Sequence, residues 1–196
     1  MSAMRLYLAS ASPRRLELLR RAGYTPERVA QQACERRLPG ETPEQLVRRV
    51  AREKVLSALA GLDPAGPPGI VLGADTAVVL DDEVLGKPTS ARVAREVLRR
   101  LSGRRHRVLT GVALVRSNDR RETGGVETTH VEFRDLDAED IDRYVAGGSP
   151  MDKAGAYGIQ DLDATWIASI EGLRSNVVGL PVERLGRWIA ELETER

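Results

Sequence analysis

The sequence lacks three features that are typical of secreted and membrane proteins: a disulfide framework, a membrane-spanning segment and a signal peptide. It has 196 residues and a single cysteine, Cys34, which excludes an internal disulfide framework. No apolar run approaches the length needed to span a membrane. We expect no signal peptide, because residues 1–4 lead straight into a predicted strand. These absences predict a cytoplasmic protein without a membrane partner.

The sequence also has little net charge and little histidine. A net charge of +1 gives no general attraction to nucleic acid, so any anion site must be a local cluster. The two histidines, His106 and His130, lack partners at ligand spacing, and a zinc site built on histidine is not expected. The 41% hydrophobic and 30% charged content is that of an ordinary globular protein, and we predict one domain over residues 1–196.

Lysine is scarce. Only Lys54, Lys87 and Lys153 occur among 30 basic residues, and the other 27 are arginines. A lysine ammonium is a compact charge suited to a single phosphate oxygen, whereas arginine presents a planar fork. The three lysines are therefore candidates for an anion site. The alternative is that they remain by chance, and spacing alone does not exclude it.

The most informative stretch is residues 69–76. The apolar run at 70–72 predicts a strand buried on both faces, and the small residues 73–74 leave room for a ligand near the backbone. Asp75 and Thr76 follow directly. An acid placed after a buried run needs a partner or a function, so Asp75 is a candidate functional residue at the end of this strand.

A hairpin is predicted after this strand. Its turn lies at Asp81 and Asp82, which we interpret as solvated residues, and the chain then reaches Lys87. The short stretch from Asp75 to Lys87 therefore supplies a carboxylate, a hydroxyl and an ammonium.

A strand predicted at residues 5–9 runs into a second candidate site. Ser12 is suited to cap a helix that continues to about Ala22, and a strand–loop–helix junction directs backbone N–H groups at one point. Ser10, Ser12, Arg14 and Arg15 lie at this junction. They form either a phosphate cradle or an ordinary capped helix with exposed arginines, and the spacing does not choose between these interpretations.

Further elements complete an α/β pattern. Residues 27–33 predict a strand that ends near Glu35, and a capping box at residues 42–45 opens a helix to about Ala60. Lys54 lies on the apolar face of this helix, where it either extends to solvent or points inward toward an anion. Later helices are predicted from Ser90, Asp137 and Leu180, and strands at residues 107–115, 126–133 and 165–170.

Residues 149–160 are rich in glycine and alanine, and they are too apolar for a solvated loop. Small residues suggest backbone packed against a ligand. Lys153 is placed to meet phosphate. Gln160 is a candidate for recognising a base, because an amide pairs with both an N–H and a carbonyl.

These residues together resemble the Maf family of nucleoside triphosphate pyrophosphatases, over nearly the whole chain from Leu8 to Pro181. Seven motifs occur in the family's order, at residues 8–15, 51–54, 73–76, 86–88, 101–103, 152–160 and 176–181. The form of the motif at 152–160 is similar to the subgroup that acts on dTTP and UTP, and differs from the one that acts on 7-methyl-GTP.

The resemblance implies a fold and an activity. The fold is an elongated mixed β-sheet flanked by helices, with two lobes and a central cleft, of the Maf and ITPase-like type, usually as a homodimer. The activity is cleavage between the α- and β-phosphates to a nucleoside monophosphate and pyrophosphate, assisted by a divalent cation, Mg²⁺ or Mn²⁺.

The resemblance also implies residue roles. Asp75 corresponds to the family's proton acceptor, and Arg14, Thr76 and Gln160 correspond to specificity positions. The three lysines correspond to positions lining the triphosphate site. Glu35 and Asp75 are the carboxylates expected to bind the metal. The sequence leaves open whether Asp75 acts as general base or as metal ligand.

Three residues depart from the family pattern. Ser149, Asp161 and Arg174 stand where glutamate, glycine and an aromatic are usual. The change at Ser149 affects metal binding, and the change at Asp161 affects base selectivity.

Two alternative functions remain. One alternative is a same-family enzyme with another base preference, for CTP or 7-methyl-GTP. The other is a nucleotide-binding regulator of septum formation without significant catalysis.

Overall fold

The computed structural model describes residues 5–194, apart from the side chain of Ser149. The predicted absence of a signal peptide at residues 1–4 therefore lies outside the described residues. Within this range the chain forms seven strands and six α-helices. The strands are β1 (Arg5–Leu8), β2 (Glu27–Arg28), β3 (Gly69–Leu80), β4 (Glu83–Leu85), β5 (Arg105–Arg116), β6 (Glu122–Phe133) and β7 (Ile167–Glu171). The helices are α1 (Pro13–Arg21), α2 (Pro43–Ala60), α3 (Ala91–Leu101), α4 (Ala138–Ala146), α5 (Arg174–Val178) and α6 (Val182–Thr194).

The strands form one mixed sheet in the order β2-β1-β3-β5-β6-β7, with β4 added to β3. Strand β1 is parallel to both of its neighbours, and the other pairs are antiparallel. The predicted α/β fold, a mixed sheet flanked by helices, is confirmed.

One edge of β3 is shared by two short strands. Strand β1 pairs with residues 69–72 and β4 pairs with residues 78–80, while β5 covers the other edge. No strand in the described range pairs with residues 73–77 on the shared edge. This opening, called here the edge gap, leaves the edge of β3 unpaired beside Asp75 and Thr76, which are both half-buried.

The helices divide the sheet into separate cores. Side chains alternate between the two faces of a strand, so Asp75 and Thr76 lie on opposite faces of β3. On the face that includes Thr76 there are two cores, one on each side of this residue. The first half of β3 packs on α1 and α6, and the second half packs on α3 and α4. The other face, which includes Asp75, packs on α2. The two cores flank the edge gap, as the predicted two lobes require.

Several predicted boundaries are confirmed by local hydrogen bonds. Helix α2 begins at the predicted capping box, where Gln45 N donates to Thr42 Oγ1 (3.2 Å) and Thr42 N donates to Gln45 Oε1 (2.8 Å). It ends at Ala60 as predicted. Ser12 and Ser90 cap α1 and α3. Asp137 precedes α4 but its side chain makes no capping bond.

Three strand predictions were wrong in extent. Strand β6 begins at Glu122 instead of residue 126, because β5 pairs with it from that residue. Strand β2 stops at Arg28 instead of residue 33, because its partner β1 ends at Leu8, which lies opposite Arg28. Strand β3 does not end at Asp75 but continues to Leu80, since β5 stays paired with it throughout. Gly73 therefore allows close packing within a strand and does not mark its end.

The C-terminal region contains one helix that the sequence did not predict. The segment from Arg174 forms the five-residue α5 without a side-chain cap, which is why no start signal was visible. In α6 the buried residues are Leu185, Trp188 and Leu192, and Ile189 is partly buried against the same core. No helix within residues 5–194 is long and apolar enough to cross a bilayer.

Candidate active site

A cleft of about 470 Å³ opens at the edge gap, within the volume range of small-molecule sites. It is bordered by the ends of β1 and β4, by the centre of β3, and by the segments after Pro150 and before Leu180. All of the candidate residues named from the sequence line it: Ser10, Ser12, Arg14, Arg15, Glu35, Lys54, Asp75, Thr76, Lys87, Lys153 and Gln160. The fold thus brings together residues that are far apart in the chain.

The centre of the cleft is a lysine held between two carboxylates. Lys54 Nζ donates to Asp75 Oδ1 and to Glu35 Oε1, each at 2.8 Å. The Lys54 side chain is 5% exposed, that of Asp75 15% and that of Glu35 49%. Of the two interpretations of Lys54, the inward one is confirmed, and its partners are carboxylates.

Two glycines allow Lys54 to reach Asp75. A Cβ at Gly73 would lie 2.5 Å from the carbonyl oxygen of Ala51, and a Cβ at Gly111 would lie 2.2 Å from that of Val47. Both carbonyls belong to α2. The helix backbone therefore rests directly on β3 and β5, at a distance that any side chain at these positions would prevent.

Glu35 is shared with the second lysine. Lys87 Nζ donates to Glu35 Oε2 at 3.3 Å from the exposed rim of the cleft. Partial burial acts to raise the pKa of Glu35, but the hydrogen bonds and positive charges of Lys54 and Lys87 outweigh it. The net result is a lowered pKa, so Glu35 is ionised at neutral pH.

The junction before α1 contains the predicted helix cap, but one of its two arginines is buried. Ser12 is an ordinary cap, with Arg15 N donating to its Oγ (3.5 Å). Arg15, however, is buried and not exposed: it donates to Gly179 O (2.8 Å), Ser10 Oγ (3.2 Å) and Thr76 Oγ1 (3.1 Å). Burial lowers the pKa of the Arg15 guanidinium, while the negative charges of Asp75 and Glu35 act to raise it. Arg15 thus holds three walls of the cleft together.

Thr76 is held from the opposite side as well. Its Oγ1 lies 3.0 Å from Thr110 Oγ1, which in turn donates to Asn176 O (3.1 Å). Together with Arg15, these contacts fix the orientation of Thr76 in the gap between the two cores.

The segment at residues 152–160 forms the wall opposite α1. Asp152 accepts from Arg14 Nη1 and from Lys153 Nζ, each at 2.7 Å. Burial acts to raise the pKa of Asp152, but these two donors outweigh it and hold the pKa at about 2. Gln160 lies at the exposed end of this wall, and its Nε2 donates to Asp161 Oδ2 at 3.3 Å.

Three residues contribute to this geometry beyond the predicted site: Asp152 and Arg49 were not predicted, and Asp161 was noted only as a departure from the family pattern. Asp152 bridges Arg14 and Lys153, Asp161 contacts Gln160, and Arg49 supports the loop that contains Glu35. Asp152 adjoins Lys153 in its motif, and this adjacency was the available signal. For Arg49 no signal existed, because one arginine among 27 has no distinguishing pattern.

The carboxylates fit one kind of metal site. Among residues 5–194, no group of three or more histidine, cysteine, aspartate or glutamate side chains is arranged to hold a metal ion. Asp75 and Glu35 form a pair bridged by Lys54, and Mg²⁺ is commonly held by one or two carboxylates together with water and substrate phosphates. The residues present therefore fit a divalent cation bound jointly with a phosphate ligand.

Comparison with known proteins identifies the relatives of this chain. The pattern of the family described as Maf-like protein matches residues 5–192. The chain is 50% identical over 177 residues to the dTTP/UTP pyrophosphatase of Escherichia coli O157:H7, covering 90% of this chain and 87% of the relative. It is 49% identical over 186 residues to the protein of the same name from Symbiobacterium thermophilum, covering 95% and 93%.

A solved structure supports the fold independently. The Ham1 protein of Staphylococcus aureus superimposes with a TM-score of 0.54 over 97% of this chain and 100% of the other, at 16% identity. Identity this low shows a shared fold and no more. The family match over residues 5–192, joined with relatives near 50% identity, shows that the chain is a member of the Maf-like family.

Proposed function

We propose that the protein hydrolyses dTTP and UTP between the α- and β-phosphates, releasing the nucleoside monophosphate and pyrophosphate. The names of the relatives support this substrate class. The single observation that carries the proposal is the convergence of basic side chains from four separate segments on the edge gap, in one cleft with the carboxylates of Asp75 and Glu35.

The basic side chains of the cleft are suited to bind a polyanion, which would replace the carboxylates that they now contact. Arg14, Lys54, Lys87 and Lys153 each bind a carboxylate. A triphosphate has close to four negative charges and competes for the same donors. Each charge-assisted hydrogen bond to a phosphate oxygen contributes roughly 1.5–3 kcal/mol, so several of them are sufficient to hold the substrate and the departing pyrophosphate.

In the proposed reaction Asp75 accepts the proton of the attacking water. Lys54 donates to Oδ1 and fixes the carboxylate, and Oδ2 would receive the proton. Glu35 would hold Mg²⁺ or Mn²⁺, joined by Asp75 where Asp75 acts as metal ligand instead of base, and the bound ion supplies a Lewis acid that neutralises phosphate charge. Ser10, Ser12 and Thr76 would orient the phosphates, with Arg14, Arg15 and the three lysines supplying the positive charge, and Gln160 would bind the base.

The cellular setting is part of the same proposal. We expect a homodimer in the cytoplasm, without nucleic-acid or membrane partners and with a single domain. The single cysteine and the resemblance to the Maf family support these expectations.

A substrate panel tests the function. Pyrophosphate release should be fastest from dTTP and UTP, slower from CTP and 7-methyl-GTP, and dependent on added Mg²⁺ or Mn²⁺. In ¹⁸O-labelled water the label should appear in the monophosphate, because attack at the α-phosphorus expels pyrophosphate. Fastest turnover of CTP or 7-methyl-GTP would establish the other base preference, and tight binding without turnover would establish a regulator.

A further inference from the structure

The segment that contains Gln160 ends in a turn fixed from several sides. Asp161 N donates to Gly158 O (2.8 Å), closing the turn. Gly158 N donates to Tyr144 Oη (3.1 Å), and Arg174 Nη2 donates to Ile159 O (3.2 Å). Since Ile159 is also buried, the backbone directions at residues 160 and 161 are set by the rest of the molecule.

Three side chains of this segment converge above Gly158. A Cβ at Gly158 would lie 2.6 Å from Lys153 Cε, 2.8 Å from Gln160 Nε2 and 2.8 Å from Asp161 Oδ2. Asp161 Oδ2 accepts from Gln160 Nε2 and lies 3.3 Å from Lys153 Nζ. The missing side chain of Gly158 thus provides the space in which Asp161 meets both partners.

The contact with Asp161 determines the orientation of the Gln160 amide, that is, the positions of its oxygen and its NH₂ group. An ionised carboxylate only accepts hydrogen bonds, whereas a carboxamide has a donor end and an acceptor end. The assignment of the two ends follows from the hydrogen-bond network. Beside Asp161 the amide must present its NH₂ group, because the opposite orientation would set the amide oxygen against a carboxylate oxygen.

We propose that Asp161 is a positioning residue that fixes the Gln160 carboxamide and thereby selects uracil and thymine over cytosine. The inference rests on the proposed function and deepens it. With one N–H engaged by Asp161, the amide oxygen and the second N–H remain for the base.

The chemistry of the bases gives this orientation its effect. Uracil and thymine have an N3–H donor beside a carbonyl, which matches an amide oxygen and an N–H. Cytosine has an acceptor at N3 beside an amino group, which matches the amide only after it has turned over. Asp161 opposes that turn, so it acts chiefly by excluding cytosine.

The test compares kcat/KM for UTP, dTTP and CTP in Asp161→Ala and Asp161→Asn. Either change allows the Gln160 amide to turn, because alanine makes no contact and asparagine can donate or accept. The ratio of UTP to CTP should fall roughly 3- to 10-fold, the effect of one partly exposed hydrogen bond, mainly through a gain for CTP.

A second background separates positioning from charge. In Gln160→Ala, adding Asp161→Ala should leave the ratio unchanged, since Asp161 acts only through the amide. The control is Asp163→Asn, which removes an equal charge two residues away while keeping an oxygen for Thr165. It should retain the wild-type ratio.

Three results would overturn the inference. The first is an unchanged ratio in both Asp161 variants, whether kcat/KM stays the same or changes by a common factor. The second is an equal fall of the ratio in the Gln160→Ala background, and the third is a fall of the same size in Asp163→Asn. A wild-type protein that releases no pyrophosphate from UTP or dTTP overturns the proposed function itself, so the two failures are distinguishable.

Discussion

Lys54 is the residue on which the geometry of the candidate site depends most. Its ammonium is almost fully buried and bonded to two carboxylates from different elements. Removing one partner of a buried ion pair leaves an uncompensated charge and is strongly destabilising. Lys54 therefore links the integrity of the fold to the position of Asp75 and Glu35.

The first prediction concerns Asp75. Asp75→Asn should reduce kcat at least tenfold, a barrier increase of at least about 1.4 kcal/mol, while nucleotide binding is largely retained. The amide keeps an oxygen for Lys54 but cannot accept the proton or match the charge of a metal ion. Steady-state kinetics and equilibrium binding of dTTP would measure the two effects separately.

The matched control is Asp81→Asn, on the hairpin that follows β3. Asp81 is an exposed residue with φ +50° whose carboxylate binds Arg104, outside the cleft, and asparagine tolerates that conformation. Wild-type kcat is expected. If Asp75→Asn retained more than a tenth of the wild-type kcat, the assignment of Asp75 would be abandoned.

The sequence predicted which residues line the cleft, but it did not predict which of them contact each other. Asp75 and the three lysines stood out because an acid after an apolar run and a rare residue type are both visible locally. Their pairing was not visible, because the contact of Lys54 with Asp75 depends on how closely α2 rests on Gly73. Asp161 was noted only as a departure from a family pattern, since its contact with Gln160 depends on a turn.

At the scale of elements, one arginine makes several contacts with the loop between β2 and α2. Arg49 donates to the carbonyls of Cys34 (3.0 Å) and Arg36 (3.0 Å), on either side of Glu35. It also binds both oxygens of the buried Glu41, at 2.7 and 3.0 Å. The hydrogen bond to Glu41 is the main cause of a raised pKa at Arg49. Arg49 thereby orients the Glu35 carboxylate toward the cleft.

The second prediction follows from this clamp. Arg49→Lys keeps the charge but cannot make the same set of contacts, because an ammonium lacks the planar fork. We expect Mn²⁺ binding, followed by electron paramagnetic resonance with dTMP and pyrophosphate present, to weaken roughly 10- to 100-fold, as for other supporting residues of metal sites. The kcat at saturating metal should change less.

The control for this change lies one turn along α2. Arg52→Lys alters an exposed ion pair with Glu122 and should leave metal affinity unchanged. Equal weakening in both variants, or a loss of kcat in Arg49→Lys that saturating metal does not restore, would contradict the role assigned to Arg49.

The elements themselves were predictable where the signals were local. The capping box at Thr42 gave both ends of α2 correctly when combined with its apolar periodicity. The length of β2 was not predictable, because it depends on where β1 ends. The continuation of β3 past Asp75 depends on β5, whose Gly111 lies opposite Asp75 but far from it in sequence, and no local pattern contains that information.

At the scale of the whole molecule, the core beneath the 152–160 segment contains a buried histidine. His106 Nε2 lies 2.8 Å from Tyr157 Oη, and its ring packs edge-on against Phe133 at 5.0 Å and Tyr157 at 5.5 Å between ring centres. Burial lowers the pKa of His106 to about 4. The folded protein therefore excludes a proton that the unfolded chain binds below pH 6.5.

The third prediction is a loss of stability as pH falls. Between pH 6.5 and pH 4 the unfolded state binds more protons at His106, so the free energy of unfolding decreases with decreasing pH. His106 alone should account for a loss of about 2 kcal/mol between pH 7 and pH 5. Urea unfolding of the wild type and of His106→Gln at both pH values measures this difference.

The chain's other histidine provides the comparison. His130 lies partly exposed on β6, and His130→Gln should keep the full wild-type loss because His106 is untouched. Glutamine at position 106 can still bond Tyr157, so the variant is expected to fold. Parallel behaviour of wild type and His106→Gln between pH 7 and pH 5 would show that His106 is not the group responsible.

The edge gap has a consequence for insertions and deletions. Its span is residues 73–77 of an extended strand, about 17 Å at roughly 3.4 Å per residue. The length of the cleft is thus set by where β1 and β4 stop, in steps of one strand residue. A residue added to the pairing of either strand shortens the cleft, whereas a residue added to the connector at 61–68 leaves it unchanged. The reach of the site along a bound ligand is therefore fixed by the lengths of two short strands.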